Sequence, residues 1–179
     1  LIVGTGLWSM PTGRCRWPLF AAIAAALAWQ VSHFLAYFPP YPTSVASMRS
    51  CPAGRQLSLL NANVLMTNRH YGKLIALAER RRPDILLLLE PSPDWARAIE
   101  PLRRQYPHEL SEPLSNTYGL ILLSKLPIDG RIAHLLQPGV PSAHVRVRLP
   151  GGEQVALHAV HPEPPLPGVD SGERDAELV

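Results

Sequence analysis

Three aliphatic runs in this chain each end at a side chain able to do chemistry. "LSLLNANVL" (57–65) carries Asn63, "PDILLLLEP" (83–91) runs into Glu90, and "VALHAVHPEPP" (155–165) carries His161. A carboxylate beside five aliphatic residues, Ile85 to Leu89, costs several kcal/mol to bury unless it is paired or neutralised. A hard divalent cation would compensate Glu90; Mg²⁺ typically takes one or two carboxylates and keeps waters that a phosphate can displace. Asn63 can offer an amide oxygen to a cation or an N–H to a phosphate without adding charge. His161 can donate to a phosphoryl oxygen or move a proton.

Each of these residues also has a structural reading. Glu90 could sit solvated at a strand mouth or beside an arginine. Asn61, Asn63 and Asn68 are turn-forming residues, and Asn68 could cap the helix that follows. His158 lies three residues before His161, and side chains alternate along a strand, so at most one of the two points to a common site.

The flanking patterns say what would position these groups. Residues 57–65 read as a strand. In "NRHYGKLIALAERRR" the residues Tyr71, Leu74, Ile75 and Ala78 fall on one helical face, and Pro83 ends the helix. Residues 84–90 are too short for a typical helix and too uniformly apolar for a half-wet strand, which predicts a strand covered on both faces. Ser92 and Pro93 mark the cap and first position of a second helix, with Trp95, Ala98, Ile99 and Leu102 as its buried stripe. "YGLILLS" (118–124) reads as a strand and "KLPIDG" as a turn. Two strands then flank Pro150-Gly151-Gly152, the first with Val145, Val147 and Leu149 alternating with Arg146 and Arg148. A βαβα start followed by antiparallel strands predicts an α/β protein with a mixed sheet.

Before this region, residues 17–38 contain no Asp, Glu, Lys or Arg, the length a bilayer core requires, with aromatic residues near both ends. They read as a transmembrane helix, although Gln30, Ser32 and His33 dilute its second half. A cleaved signal peptide is the alternative, but the apolar run exceeds the usual ~7–15 residues. Arg14 and Arg16 favour a cytoplasmic N-terminus and an extracytoplasmic soluble domain; Arg49 and Arg55 on the other flank oppose that orientation. The expected organisation is a flank (1–16), a membrane helix (17–38), a Pro-rich linker (39–56) and a soluble domain (57–179).

The 179 residues carry a net charge of +3, and no acidic residue precedes Glu79. The basic residues are scattered rather than clustered, so a nucleic-acid-binding protein without chemistry rests on net charge alone. Cys15 and Cys51 flank the apolar segment and make neither a disulfide framework nor a zinc spacing.

Taken in order, "NANVL", "PDILLLLEP", "YGLILLSKLPI" and "LHAVHPEPP" resemble the endonuclease/exonuclease/phosphatase superfamily, the DNase I-like fold, in a bacterial branch with membrane helices before the domain. The resemblance implies the first part of a DNase I-like α/β sandwich and a divalent-metal-dependent hydrolase of phosphoesters such as nucleic acid, phospholipid or small esters. It places a Mg²⁺ (or Mn²⁺) ligand at Glu90, a metal- and phosphate-orienting amide at Asn63, and a phosphate donor at His161. It also matches Glu112 to a carboxylate that orients the histidine, and Arg174 to an arginine opening the next helix. The family's later Gly-Asp-x-Asn and Ser-Asp-His motifs, which supply further ligands and activate water, do not occur. The expectation is therefore a C-terminally truncated, inactive piece of a phosphoesterase. The alternative is a membrane-tethered binding module that keeps the fold without catalysis.

Overall fold

The computed structural model describes residues 16–35, 38, 51–135, 137–162 and 172. Cys15, Arg174, most of the N-terminal flank and most of the linker lie outside the described residues. Two compact units are present, Leu1–Ser50 and Cys51–Val179.

In the first unit, α1 (Arg16–Leu35) is long and apolar enough over Trp17–Leu35 to cross a membrane, by length and composition. Its side chains are exposed at every described position but Ile23. The polar residues of its second half are partly self-satisfied: Ser32 Oγ donates to the Trp29 carbonyl at 2.6 Å, and His33 packs edge-on against the Trp29 ring at 4.9 Å. Such internal pairing lowers the cost of placing hydroxyl and imidazole groups in an apolar medium.

The second unit is a three-layer arrangement of helices, sheet and sheet. β1 (Leu59–Asn63), β2 (Ile85–Leu89), β3 (His108–Glu112) and β4 (Leu120–Ser124) form one mixed sheet in the order β1-β2-β4-β3, with β1 and β2 parallel and the other pairs antiparallel. β5 (Ile128–Ala133), β6 (Ser142–Arg148) and β7 (Gln154–Ala159) form a second, antiparallel sheet. The helices are α2 (Tyr71–Arg81), α3 (Pro93–Ala98) and α4 (Glu100–Arg103).

The uninterrupted aliphatic run of β2 now has its cause. Leu86 and Leu88 pack with Leu74, Ala78, Trp95, Ile99 and Leu102 of the helices, while Ile85 and Leu87 pack with Ala143, Val145 and Val147 of β6. β4 divides the same way, Ile121 and Leu123 toward the helices and Leu120 and Leu122 toward the second sheet. Fully burying each leucine contributes about 2 kcal/mol. At the far end from the strand tips, the Ser58 N–H and Oγ both donate to Asp84 Oδ2, at 2.8 and 2.6 Å, which pins the register of β1 against β2.

Three details depart from the sequence expectations. Residues 128–130 of "KLPIDG" are not a turn but open β5, because pairing with β6 outweighs the weak strand propensity of Asp129 and Gly130. Strand β3, with the polar sequence "HELSE", has no counterpart in the apolar pattern. The second helix is broken into α3 and α4, with Pro101 in the first turn of α4; Trp95, Ile99 and Leu102 are buried as expected, and Ala98 only partly. Ser92 caps α3 by accepting from the Trp95 N–H, and Pro93 stands at its start.

Candidate active site

The C-terminal tips of the parallel strands β1 and β2 carry Asn63 and Glu90, at the edge of an open α/β sheet where ligands characteristically bind. Glu90 follows β2 with φ of +62°, a left-handed conformation that costs a non-glycine residue about 1 kcal/mol. That turn is held from both sides. The Glu90 N–H donates to the Gly119 carbonyl at 2.9 Å, and the Leu114 N–H donates to the Pro91 carbonyl at 3.1 Å. Gly119 permits this closure: a Cβ there would stand 2.1 Å from the Pro91 oxygen.

Three side chains meet at one carboxylate oxygen. Asn63 Nδ2 donates to Glu90 Oε1 at 2.5 Å, and His161 Nε2 stands 3.6 Å from that same oxygen. The amide orientation follows from its other partner: Asn63 Oδ1 accepts from the Leu65 N–H at 3.1 Å, so the nitrogen faces the carboxylate. Side-chain exposure is 14% for Glu90 and 23% for His161, so both are largely withdrawn from bulk water. No lysine or arginine pairs with Glu90 among the described residues. The His161 ring leans on Tyr118 at 5.7 Å, and its buried Nδ1 has no hydrogen-bond partner among the described residues.

Strand parity assigns the two histidines. Ala159 faces the inter-sheet core, and His158 turns to the outer face, where it pairs with His144. His161, two residues beyond Ala159, reaches the strand tips. Asn68 does not cap α2 directly. Its Oδ1 accepts from the His70 N–H at 3.0 Å and its Nδ2 donates to the Val64 carbonyl at 3.1 Å, bracing the loop after β1.

Glu112 departs from its expected place. It pairs with His134 Nε2 at 2.8 Å and is not a partner of either His161 nitrogen. The histidine it meets follows β5, a segment whose proximity nothing in the local sequence signals. Tyr118 and Gly119 were also not singled out as site residues, although both stand in the "NTYGLILLS" segment whose pattern points to this family. A cavity of about 300 Å³ is lined by Thr67, Arg69, Ser92, Asp94 and Ser115 among others. Arg69 bonds both Asp94 and the Tyr71 hydroxyl, and its hydrogen bond holds the Asp94 carboxyl below the usual carboxylate range.

The described fold is an α/β sandwich whose strand tips bring a carboxylate, an amide and an imidazole together. The chain belongs to the Endonuclease/Exonuclease/phosphatase family, whose model matches residues 60–179. Members of this family are hydrolases of phosphoester bonds. Among solved structures, the fold is similar to TDP2 of D. rerio humanized by 14 mutations, at 19% identity and TM-score 0.56 over 68% of this chain and 56% of that one. It is similar also to D. rerio TDP2 complexed with single strand DNA product, at 20% identity and TM-score 0.53 over 68% and 51% of the two chains. Truncated C. elegans TDP2 aligns at 19% identity and TM-score 0.50 over 61% and 47%. This chain thus spans about half the length of the structures it matches. No curated protein sequence matches it.

The donor set fits a hard cation bound through one carboxylate. Among the described residues Glu90 is shielded and has no lysine or arginine partner, and Asn63 leaves Oε2 without a hydrogen bond. Among those residues no three His, Cys, Asp or Glu side chains converge, so any ion held here would retain most of its water.

Proposed function

We propose that this chain is the N-terminal part of a membrane-anchored, Mg²⁺- or Mn²⁺-dependent phosphoesterase whose domain lies on the extracytoplasmic side. The convergence of Asn63 Nδ2 and His161 Nε2 on Glu90 Oε1 carries the reading. Glu90 would hold the cation, and Asn63 fixes the rotamer of that carboxylate through its 2.5 Å hydrogen bond. His161 Nε2–H would donate to an oxygen of the scissile phosphate, a contact that strengthens as negative charge accumulates there. When bound, the cation neutralises charge on the phosphoryl oxygens and positions the attacking water. The cavity beside Arg69 leaves room for the rest of the substrate: nucleic acid, phospholipid or a small phosphoester. α1 would supply the anchor.

Catalysis by the whole protein is tested by joining this chain to its natural downstream sequence and measuring hydrolysis of a chromogenic phosphodiester. Turnover that needs Mg²⁺ and disappears with chelator is expected. An extended protein inert toward every phosphodiester and phosphomonoester would overturn the reading. A second reading, a tethered module without catalysis, draws on the lack of a three-ligand cluster among the described residues. Such a module would bind a phosphoester without turning it over.

A further inference from the structure

The outer face of the second sheet holds a chain of hydrogen bonds that the proposed chemistry does not use. His144 stands directly opposite His158 in the β6–β7 register and opposite Arg131 in the β5–β6 register. The two imidazoles meet through Nδ1 and Nδ1 at 2.7 Å, with ring centroids 5.0 Å apart. His144 Nε2 lies 2.9 Å from Ser142 Oγ, and that hydroxyl lies 3.1 Å from the Ala133 carbonyl. Only one set of protons satisfies every atom. Ser142 O–H must donate to the carbonyl, which has no hydrogen; His144 Nε2–H then donates to Ser142 Oγ. His144 Nδ1 is left as an acceptor, and His158 Nδ1–H donates to it.

We propose that this histidine pair is an acid-released clasp on β7, the strand that leads into His161. The one ring nitrogen of the pair without a partner among the described residues is His158 Nε2. A first proton entering there leaves the Nδ1–H···Nδ1 bond intact. A second proton has only His144 Nδ1 to occupy, and it sets two N–H groups and two positive charges against each other across 2.7 Å. The surroundings oppose that second proton. Arg131 on β5 and Arg146 on β6 line the same open cavity of about 620 Å³, and Asp129 on β5 is its one carboxylate among the described lining residues. Burial, His158 and Arg131 accordingly keep His144 below the ordinary histidine range. Release would free the end of β7, where His158 is followed by Ala159 in the inter-sheet core and, two residues on, by His161. The clasp is a property of the fold and stands whether or not the strand tips hydrolyse phosphoesters.

Imidazole nitrogen spectra of the full chain in detergent, recorded from about pH 8 to about pH 4, test it. His144 should be present as the Nε2–H tautomer at the upper end and should take its proton below the midpoint of a histidine in an unstructured peptide. As it does, amide protection at the end of β7 should fall at least about tenfold relative to the β1–β2 ladder, with the His161 resonances shifting in step. His158→Phe should remove this acid-dependent loss, because His144 can then accept a proton without breaking a bond. His144 titrating like a peptide histidine, or protection lost equally from both sheets, would overturn the proposal. The wild-type titration decides the matter even if the variant does not fold.

Discussion

His158 and His161 leave the same strand three residues apart and end in opposite hydrogen-bonding states. On the outer face of the second sheet, the Ser142–His144–His158 chain terminates at a carbonyl and gives every polar atom between its ends a partner. At the strand tips, His161 Nδ1 is buried without a hydrogen-bond partner among the described residues. Glu90 has His161 Nε2 at 3.6 Å but no lysine or arginine among them, and the carboxylate sits on a left-handed backbone. Burying polar groups with incomplete partners costs about 1–3 kcal/mol each, so among the described residues the strand tips are the costlier of the two places. One histidine stabilises the fold. The other keeps a buried ring nitrogen without a partner among the described residues.

Substitutions that separate stability from activity would break this contrast if they failed to separate them. Glu90→Gln in the extended protein carries the largest expected effect, a loss of phosphoester turnover of about a hundred- to a thousand-fold or more. Its thermal midpoint should stay level or rise, because a shielded carboxylate without a cationic partner becomes neutral. A parallel fall in melting temperature and activity would make Glu90 a structural residue. His161→Phe keeps the ring contact with Tyr118 and removes the orphaned Nδ1, so turnover should drop about a hundred-fold with stability preserved. The reverse pattern is expected on the other face. Ser142→Ala deletes a buried hydroxyl between His144 and Ala133 and should destabilise by about 1–3 kcal/mol, read as a lower urea midpoint, with phosphoester turnover unchanged. His158→Phe, at an exposed position, should cost about 0.5–1.5 kcal/mol, again without affecting turnover at neutral pH.

How much of this contrast was readable beforehand follows from which forces are local. The two-sided burial of β2 was legible because an unbroken aliphatic run has no wet face. The parity of His158 and His161 was legible because alternation is a property of any regular strand. β5 was read as a turn since Pro127, Asp129 and Gly130 have poor strand propensity; only pairing with β6 explains it, and a Cβ on Gly130 would stand 2.1 Å from the His144 carbonyl oxygen. β3 was invisible because this edge strand sends only Leu110 against the inter-sheet core, and one apolar residue makes no pattern. At the site, Asn63, Glu90 and His161 announced themselves as polar ends of apolar runs. The pairing of Glu112 with His134 did not, since it joins segments from two different sheets.

The smallest expected effect sharpens the comparison through pH. Folding holds His144 below the ordinary histidine range, chiefly by burial, then by His158 and Arg131. Above the unfolded-state value, both folded and unfolded chains carry the neutral ring, and its contribution to stability is fully present. As pH falls from there through the lower folded-state value, the unfolded chain binds a proton that the folded chain refuses. Stability therefore declines across that window and the contribution is lost below it. Carboxylates throughout the protein also weaken the fold in acid, so the informative quantity is a difference. Urea midpoints of the wild type and of His144→Gln, followed from about pH 8 to about pH 5, should diverge, with the wild type losing more as the solution is acidified. Parallel curves would mean that the outer-face pair holds its protons no differently from free histidine, and the distinction between the two faces would then rest on the strand tips alone.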